Sequence, residues 1–209
     1  MHKPPHSVFH SAGHVSTAGT AVFMYFISVF TRPRALLSQG DHVYRLRSDS
    51  TLEIANLGDS GLRIVRDGQI AFATESLQHG FNMPFQLGNK NLIPYTDVPK
   101  SSLQSVVTVQ SGDVIVMASD GFFDNVWDED LARLVKHSCL LEDAIEEDCV
   151  ANMAEQLALV AASNSQDKMF RSPWSVECAK QSDSVGLLRK LFPRGGKVDD
   201  ITVVLARVE

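Results

Sequence analysis

The chain lacks the cysteines that a disulfide framework or a thiolate zinc site requires. Its three cysteines, Cys139, Cys149 and Cys178, are odd in number and contain no CxxC pair, so a reducing compartment is expected. It also lacks an excess of positive charge, since its formal net charge is -6. Nucleic acids and anionic membranes are bound through clustered Lys and Arg. Neither partner is therefore predicted, whereas an acidic chain is suited to holding cations.

Long hydrophobic runs are also scarce. The one long uncharged run, AGTAVFMYFISVF, covers residues 18–30, and its 13 residues fall short of the roughly 20 that a membrane-spanning helix needs. No stable membrane insertion is expected. Two interpretations of this run remain, the apolar core of a signal peptide and a buried strand. Its many Val, Phe, Tyr and Ile residues favour the strand.

Beyond residue 50 the sequence alternates strand and turn patterns. Residues 51–55 (TLEIA) alternate apolar and polar side chains, residues 56–61 (NLGDSG) are turn formers, and residues 62–65 are again mostly apolar. The pair Asp67-Gly68 then precedes QIAFAT and is typical of a two-residue type I′ hairpin. These patterns predict three antiparallel strands in a meander.

A second strand pattern and two helical patterns follow. Residues 106–109 and 114–119 flank the turn QSGD and predict a second hairpin, whose second strand is apolar enough to be covered on both faces. Apolar residues at three- and four-residue spacing predict helices at 128–138 and 142–163. The chain closes on a predicted strand at 201–206.

Two stretches have no consistent period and are predicted as loops. They are residues 80–105 and residues 166–198, the second with a short helix near 185–191. Hairpins with helices grouped between them indicate the α+β class. We divide the chain into a poorly matched N-terminal segment, residues 1–45, and a domain at 46–209.

Acidic residues mark three predicted strand ends. Asp59 lies in GDSG, Asp120 in SDGFFD, and Asp199 stands with Asp200 before the last strand. Carboxylates at the end of a sheet, with no His or Cys beside them, suit hard cations such as Mg²⁺ or Mn²⁺. Each has a plainer interpretation as a turn residue or a solvated loop acid. Their shared placement is what points to a metal site.

The order of these motifs resembles one known family. TLEIANLGDSG, then DVIVMASDGFFDNVWDED, then GGKVDDITVVLARV resemble the metal-dependent protein phosphatases, the PPM or type 2C family, over residues from about 50 to 209. The stretch QHGFNMPFQLG at 78–88 is similar to the subgroup whose better-known members act in mitochondria and plastids. Gly61, where many other members carry arginine, points to the same subgroup.

The resemblance implies a four-layer αββα sandwich of two antiparallel sheets flanked by helices, with a two-metal centre at one end. It implies that Asp120 and Asp199 bind Mg²⁺ or Mn²⁺, and that Asp59 contributes to a third ion. Gly121 is expected among the cofactor-binding residues. A water activated by two cations would hydrolyse phosphoseryl and phosphothreonyl proteins directly, without a phosphoenzyme. The implied protein is a monomer with phosphoprotein substrates.

Part of the family pattern is missing. Family members carry, upstream of GDS, a DGxGG-type motif whose aspartate bridges both metals, and an arginine that holds the substrate phosphate. No Asp-Gly pair precedes Asp67-Gly68, and Asp41 and Asp49 lie in contexts unlike that motif. Without the bridging carboxylate, the repulsion between two dications is less well offset. We therefore expect a phosphatase fragment, incomplete at the N-terminus, with impaired activity.

Two other hypotheses stay open. The chain could be a non-catalytic phosphatase-like domain that binds proteins, or a calcium-stabilised β-rich interaction domain in which the aspartates are structural. An in-frame upstream DGxGG exon would favour the phosphatase. A mitochondrial or plastid location is suggested by the subgroup alone, because the N-terminus lacks the Arg-rich amphipathic pattern of a transit peptide.

Overall fold

The computed structural model describes residues 7–17, 20–30, 41–89, 96–141, 147–181 and 190–209. The strands, in chain order, are β1 (Ser7–Thr17), β2 (Thr20–Phe30), β3 (Asp41–Leu46), β4 (Thr51–Leu57), β5 (Gly61–Arg66), β6 (Gln69–Ala73), β7 (Gln78–Gly80), β8 (Met83–Pro84), β9 (Leu103–Thr108), β10 (Val114–Ala118) and β11 (Ile201–Val208). The helices are α1 (Asp120–Phe123), α2 (Asp128–Leu141), α3 (Glu147–Gln166) and α4 (Pro173–Gln181), with a 3₁₀ turn at Pro99–Ser101. Antiparallel sheets packed with helices confirm the predicted α+β class.

The larger sheet has six strands in the order β1-β2-β11-β10-β5-β6, and each neighbouring pair is antiparallel. β2 covers most of the apolar run at 18–30. It pairs along β11, with Val22 opposite Val208 and Val29 opposite Ile201. This placement is the one that the strand interpretation of the run predicts.

The smaller sheet has three strands in the order β3-β4-β9. β4 is its central strand, antiparallel to both neighbours. The boundary that we drew between residues 45 and 46 falls within β3. The division of the chain into two segments stays a prediction.

The predicted meander and the predicted second hairpin are both wrong. β4 and β5 follow each other in sequence but lie in different sheets, and so do β9 and β10. The cause is the packing of the two sheets: Leu52 of β4 and Leu62 of β5 share one buried cluster between them. An apolar strand followed by a turn and another apolar strand fits a step between stacked sheets as well as it fits a hairpin.

The hairpin predicted at Asp67-Gly68 is confirmed. β5 and β6 pair with Arg66 opposite Gln69, so the two residues between them form the turn. Their φ angles of 53° and 75° are both positive, which is the requirement of a type I′ turn.

Two apolar cores lie on opposite faces of the six-stranded sheet. Along β10, Val114 and Val116 face the helices, in a cluster that includes Leu131 of α2 and Leu157 of α3. Ile115, between them in sequence, belongs to the cluster between the two sheets. The prediction that this strand is covered on both faces is confirmed, because alternate side chains of a strand point to opposite faces.

The described residues supply three layers: helices, the six-stranded sheet and the three-stranded sheet. The fourth layer implied by the resemblance would cover the outer face of the three-stranded sheet. On that face, Val43 is 67% exposed and Val106 is 69% exposed.

The helices at 128–138 and 142–163 are present as α2 and α3, although residues 142–146 lie outside the described residues. The loop predicted at 80–105 instead contains β8, the 3₁₀ turn and the first part of β9. The loop predicted at 166–198 contains α4, whose buried residues are Ser175 and Ala179. These small side chains give no large apolar stripe, so a periodicity argument misses the helix.

Most of the short helix expected at 185–191 lies outside the described residues. None of the helices that the structure describes is both long and apolar enough to cross a membrane.

Candidate metal centre

Three neighbouring strands bring the sequence-predicted acids to one end of the six-stranded sheet. β10 is antiparallel to both β5 and β11, so its end lies beside the beginnings of the other two. Ala118, at the end of β10, is opposite Gly61 of β5 and Val203 of β11. Asp59 precedes β5, Asp120 follows β10, and Asp199 precedes β11. Topology therefore brings these three acids together.

Ser119 fixes the end of β10 to the beginning of β11. Its backbone N–H donates to the carbonyl of Thr202 at 3.1 Å, and its hydroxyl donates to the carbonyl of Asp200 at 3.1 Å. The same hydroxyl oxygen accepts a bond from the Thr202 N–H at 3.0 Å. These bonds set the spacing between Asp120 and Asp199, the residues on either side of this contact.

Gly121 allows the two segments to approach closely. A Cβ at this position would lie 2.4 Å from the carbonyl oxygen of Asp200 and 3.2 Å from Cβ of Asp199, so no larger residue fits. Its own carbonyl oxygen accepts a hydrogen bond from Asn125 Nδ2 at 2.8 Å. Its predicted role in holding a cofactor stays a prediction.

A lysine ammonium lies among the carboxylates. Nζ of Lys197 is 2.8 Å from Oδ2 of Asp120, 2.7 Å from Oδ2 of Asp124 and 3.3 Å from Oδ2 of Asp199. Only 15% of the Lys197 side chain is exposed. One ammonium therefore joins three carboxylates, two from the segment after β10 and one from the segment before β11, and we call this group the Lys197 cluster.

Asn125 holds the backbone that carries Lys197. Its Oδ1 accepts the Lys197 N–H at 2.9 Å, and its Nδ2 donates to the Lys197 carbonyl at 2.8 Å. Asn125 is fully buried and also bonds Gly121, as described above. It thus ties the segment after β10 to the segment before β11.

The acids repel one another in this partly buried setting. Burial, together with the charge of Asp120, raises the pKa of Asp59 to about 6. Burial also raises the pKa of Asp124 to about 6, although Lys197 acts to lower it. Burial alone would lower the pKa of Lys197, but the charges of Asp124 and Asp120 outweigh it and raise the pKa above its usual value. The cluster is short of positive charge.

Beside the Lys197 cluster lies a pocket of about 170 Å³. Asp59, Asp120 and Asp124 line it together with Arg63 and Phe123. The Arg63 guanidinium lies 4.4 Å above the ring of Phe123, and its Nε donates to both carboxylate oxygens of Asp128 at 2.8 and 3.1 Å. The lining therefore combines three carboxylates with one guanidinium that is already paired with Asp128.

Two members of this centre, Asp124 and Lys197, were not predicted from the sequence. Asp124 stands four residues after Asp120, the spacing that places two side chains on one face of a helical turn, so the motif SDGFFD did contain a signal. Lys197 gave no signal, because a lysine next to Gly195-Gly196 is ordinarily solvated.

The donor set suits hard divalent cations, since it consists of carboxylate oxygens. In this structure the carboxylate oxygens surround the ammonium of Lys197. Across the described residues, no three His, Cys, Asp or Glu side chains are grouped so as to hold a metal. Asp59, Asp120 and Asp199 thus lie together as predicted, while their role as metal ligands stays a prediction.

The similarity of this chain to known proteins is clear in sequence. No protein-family model matches it. The Arabidopsis thaliana protein named "Probable protein phosphatase 2C 26" is 41% identical over 162 residues, which are 75% of this chain and 50% of that protein. "Protein phosphatase PTC7 homolog fig" of Drosophila mojavensis is 34% identical over 169 residues, 78% of this chain and 50% of that protein. The chain thus spans about half the length of these curated relatives.

Solved structures of phosphatases also resemble this chain. The photosystem II phosphatase PBCP is 29% identical with a TM-score of 0.68, and the match covers 90% of this chain and 66% of that one. A serine/threonine phosphatase of S. agalactiae, 13% identical with a TM-score of 0.51, covers 96% of this chain and 93% of its own and shares the fold. With this fold, the acids at the strand ends and these relatives, the chain belongs to the metal-dependent protein phosphatase (PPM, type 2C) family.

Proposed function

We propose that this chain carries the carboxylate part of the catalytic centre of a protein serine/threonine phosphatase that hydrolyses phosphoseryl and phosphothreonyl proteins. One observation carries the proposal. In a chain 41% identical to a protein named as a phosphatase, Asp120, Asp124 and Asp199 converge on a single point at the end of neighbouring strands.

The Asp120, Asp124 and Asp199 carboxylates would hold Mg²⁺ or Mn²⁺, with Asp59 beside them for a further ion. When bound, such cations lower the pKa of a water molecule and neutralise the charge of a phosphate. The chain itself contributes a rigid frame. Ser119 and Asn125 fix the two segments that carry the acids, so the carboxylates are oriented before any ligand arrives.

The pocket beside the acids is the proposed site of the phosphorylated side chain. Among its described lining residues Arg63 alone is cationic. Asp128 and the ring of Phe123 hold the guanidinium in place next to the acids, and the pair with Asp128 offsets part of its positive charge. We propose that this charge attracts the phosphate group of the substrate.

The chain by itself is proposed to be a weak catalyst. The DGxGG-type motif and the phosphate-binding arginine of the family have no counterpart in its sequence, and these groups would activate the water and position the phosphate. We expect hydrolysis of a phosphothreonyl peptide by the 209-residue chain to lie near background in millimolar Mn²⁺.

The test is a chimaera in which the part of the Arabidopsis relative that precedes the matched residues is placed before this chain. We expect the chimaera to gain Mn²⁺- or Mg²⁺-dependent activity, and Asp120→Asn or Asp199→Asn to remove it. Asp130→Asn is the matched control, because Asp130 lies on α2 in a surface pair with Arg133. Robust activity of the chain alone, lost in both Asn variants, would show that another residue replaces the bridging aspartate.

A non-catalytic role is the second candidate, and the occupancy of the acids by Lys197 favours it. A folded chimaera that binds Mn²⁺ and a phosphopeptide but turns over neither peptide nor p-nitrophenyl phosphate would establish it. Membership of the phosphatase family argues against the calcium-stabilised interaction domain.

We also propose an organellar location, in a plastid or a mitochondrion. Support comes from the subgroup motif at 78–88 and from the likeness to a photosystem II phosphatase. Imaging of the tagged full-length protein tests this, and exclusively cytosolic fluorescence would refute it.

A further inference from the structure

Lys197 lies at the centre of the acids that the proposed function takes as metal ligands. Its Nζ contacts the Oδ2 atoms of Asp120, Asp124 and Asp199, all at 3.3 Å or less. These are the oxygens that face the centre of the cluster. A lysine this enclosed differs from Lys100, which is exposed in the 3₁₀ turn.

The backbone of Lys197 is held in place by hydrogen bonds. Asn125 bonds both its N–H and its carbonyl, so the backbone cannot shift without breaking two hydrogen bonds to a fully buried side chain. The aliphatic stem of the side chain is the part that can move. Lys197 can therefore leave the carboxylates by a change of side-chain rotamer, without a movement of the backbone.

An ammonium and a divalent cation cannot share these oxygens. Mg²⁺ lies about 2.1 Å from each oxygen ligand, so an ion held by Oδ2 of Asp120 and of Asp199 would fall within the space that Nζ fills. Charges of +2 and +1 at such a separation repel strongly. Binding of metal requires the ammonium to leave.

We propose that Lys197 is a built-in counter-ion, which occupies the carboxylate cluster in the absence of metal and competes with divalent cations for it. This inference rests on the proposed function, because it takes the same acids as metal ligands. The affinity of the chain for divalent cations then depends on how readily the Lys197 ammonium leaves the carboxylates. The ammonium also keeps the acids together when metal is scarce, since it offsets their mutual repulsion.

The first test measures Mn²⁺ binding by calorimetry in Lys197→Met and in the matched control Lys100→Met, which makes the same change in net charge. We expect Lys197→Met to bind Mn²⁺ with a dissociation constant about tenfold lower than that of the unsubstituted chain. A tenfold change corresponds to unsubstituted carboxylates that are free of the ammonium about a tenth of the time. Lys100→Met should bind as the unsubstituted chain does. In EDTA, Lys197→Met should melt at a lower temperature. An unchanged or weaker affinity in a folded Lys197→Met would overturn the proposal.

The second test uses the unsubstituted chain and so does not depend on how the variant folds. An amine-reactive ester is applied with and without Mn²⁺, and modification is measured at each lysine by peptide mass spectrometry. We expect labelling of Lys197 to rise several-fold with Mn²⁺ while that of Lys100 stays constant.

The two tests separate this inference from the proposed function. Binding of Mn²⁺ without increased labelling of Lys197 would overturn the competition and leave the metal site intact. Failure of Mn²⁺ to bind either the unsubstituted chain or Lys197→Met would overturn both.

Discussion

At the scale of single residues, buried polar side chains assemble the candidate centre. Asn125 is the clearest case, because its amide makes three hydrogen bonds of 2.8 to 2.9 Å to Gly121 and Lys197. A buried polar group is costly unless it is paired. Two of these bonds join Asn125 to Lys197 in the segment before β11, so a fully hydrogen-bonded amide also fixes how the two segments that carry the acids are placed.

We expect Asn125→Ala to lower the free energy of unfolding by about 3 kcal/mol, from three lost hydrogen bonds and a small cavity. Urea denaturation measures the effect. Asn164→Ala is the control, since its Nδ2 donates a single bond to the carbonyl of Asn125 and its loss should cost about 1 kcal/mol. Equal effects of the two substitutions would contradict the role given to Asn125.

Gly121→Ala should be destabilising by at least about 2 kcal/mol. The new Cβ would lie 2.4 Å from a backbone oxygen of Asp200, which Ser119 holds in place, so overpacking has no easy relief. Gly80→Ala is the control, because its Cβ would meet only the sulfur of Met83, at 3.7 Å. Thermal melts compare the two, and a Gly121→Ala melting temperature equal to that of Gly80→Ala would refute the close-approach argument.

At the scale of elements, the ends of strands are set by ion pairs as well as by turns. The fully buried Asp113, just before β10, accepts two bonds of 2.7 Å from the guanidinium of Arg66 at the end of β5. It also accepts the N–H of Gln110 at 2.9 Å, which closes the turn between β9 and β10. A single carboxylate thus aligns neighbouring strands at the end of the sheet opposite to the acids.

Asp113→Ala should cost about 3 kcal/mol of unfolding free energy, because it leaves the Arg66 charge without its partner and the turn without its acceptor. Asp130→Ala, which breaks the pair with the 77%-exposed Arg133, should cost less than about 1 kcal/mol. Chemical denaturation of both variants provides the comparison. A loss below 1 kcal/mol for Asp113→Ala would show that the pair does not align the strands.

Elements were predictable where the local pattern is strong, as in the Asp67-Gly68 turn and the apolar β10. The pairing of the strands was not predictable from the sequence. A turn such as the one that contains Asp59 has the same residue pattern whether the chain stays in one sheet or passes to the other. The acids were predictable for the same local reason, since each stands at a strand end. Lys197 was not, because two of its three partners are distant in sequence: Asp120 and Asp124 precede it by more than 70 residues.

At the scale of the whole molecule, the six-stranded sheet is shared by two cores. Its faces pack on the helices and on the three-stranded sheet, so β5, β10 and β11 are held from both sides. The acids lie at the end of these three strands. Anything that relieves repulsion among them therefore acts on strands that are packed on both faces.

Burial, together with the charge of Asp120 in the case of Asp59, raises the pKa of both Asp59 and Asp124 to about 6, so the folded chain disfavours the ionised carboxylates. A divalent cation that binds them in the folded state alone would stabilise the protein, by about 2.7 kcal/mol at a concentration 100 times the dissociation constant. For a domain of this size the melting temperature should rise by about 5 to 10 °C in millimolar Mn²⁺. Scanning calorimetry in EDTA and in Mn²⁺ measures the rise, with NaCl at equal ionic strength as the control. The rise should disappear in Asp120→Asn/Asp199→Asn and persist in Asp130→Asn. An unchanged melting temperature in the unsubstituted chain would mean that these carboxylates bind no metal in this chain, with Lys197 as their permanent partner.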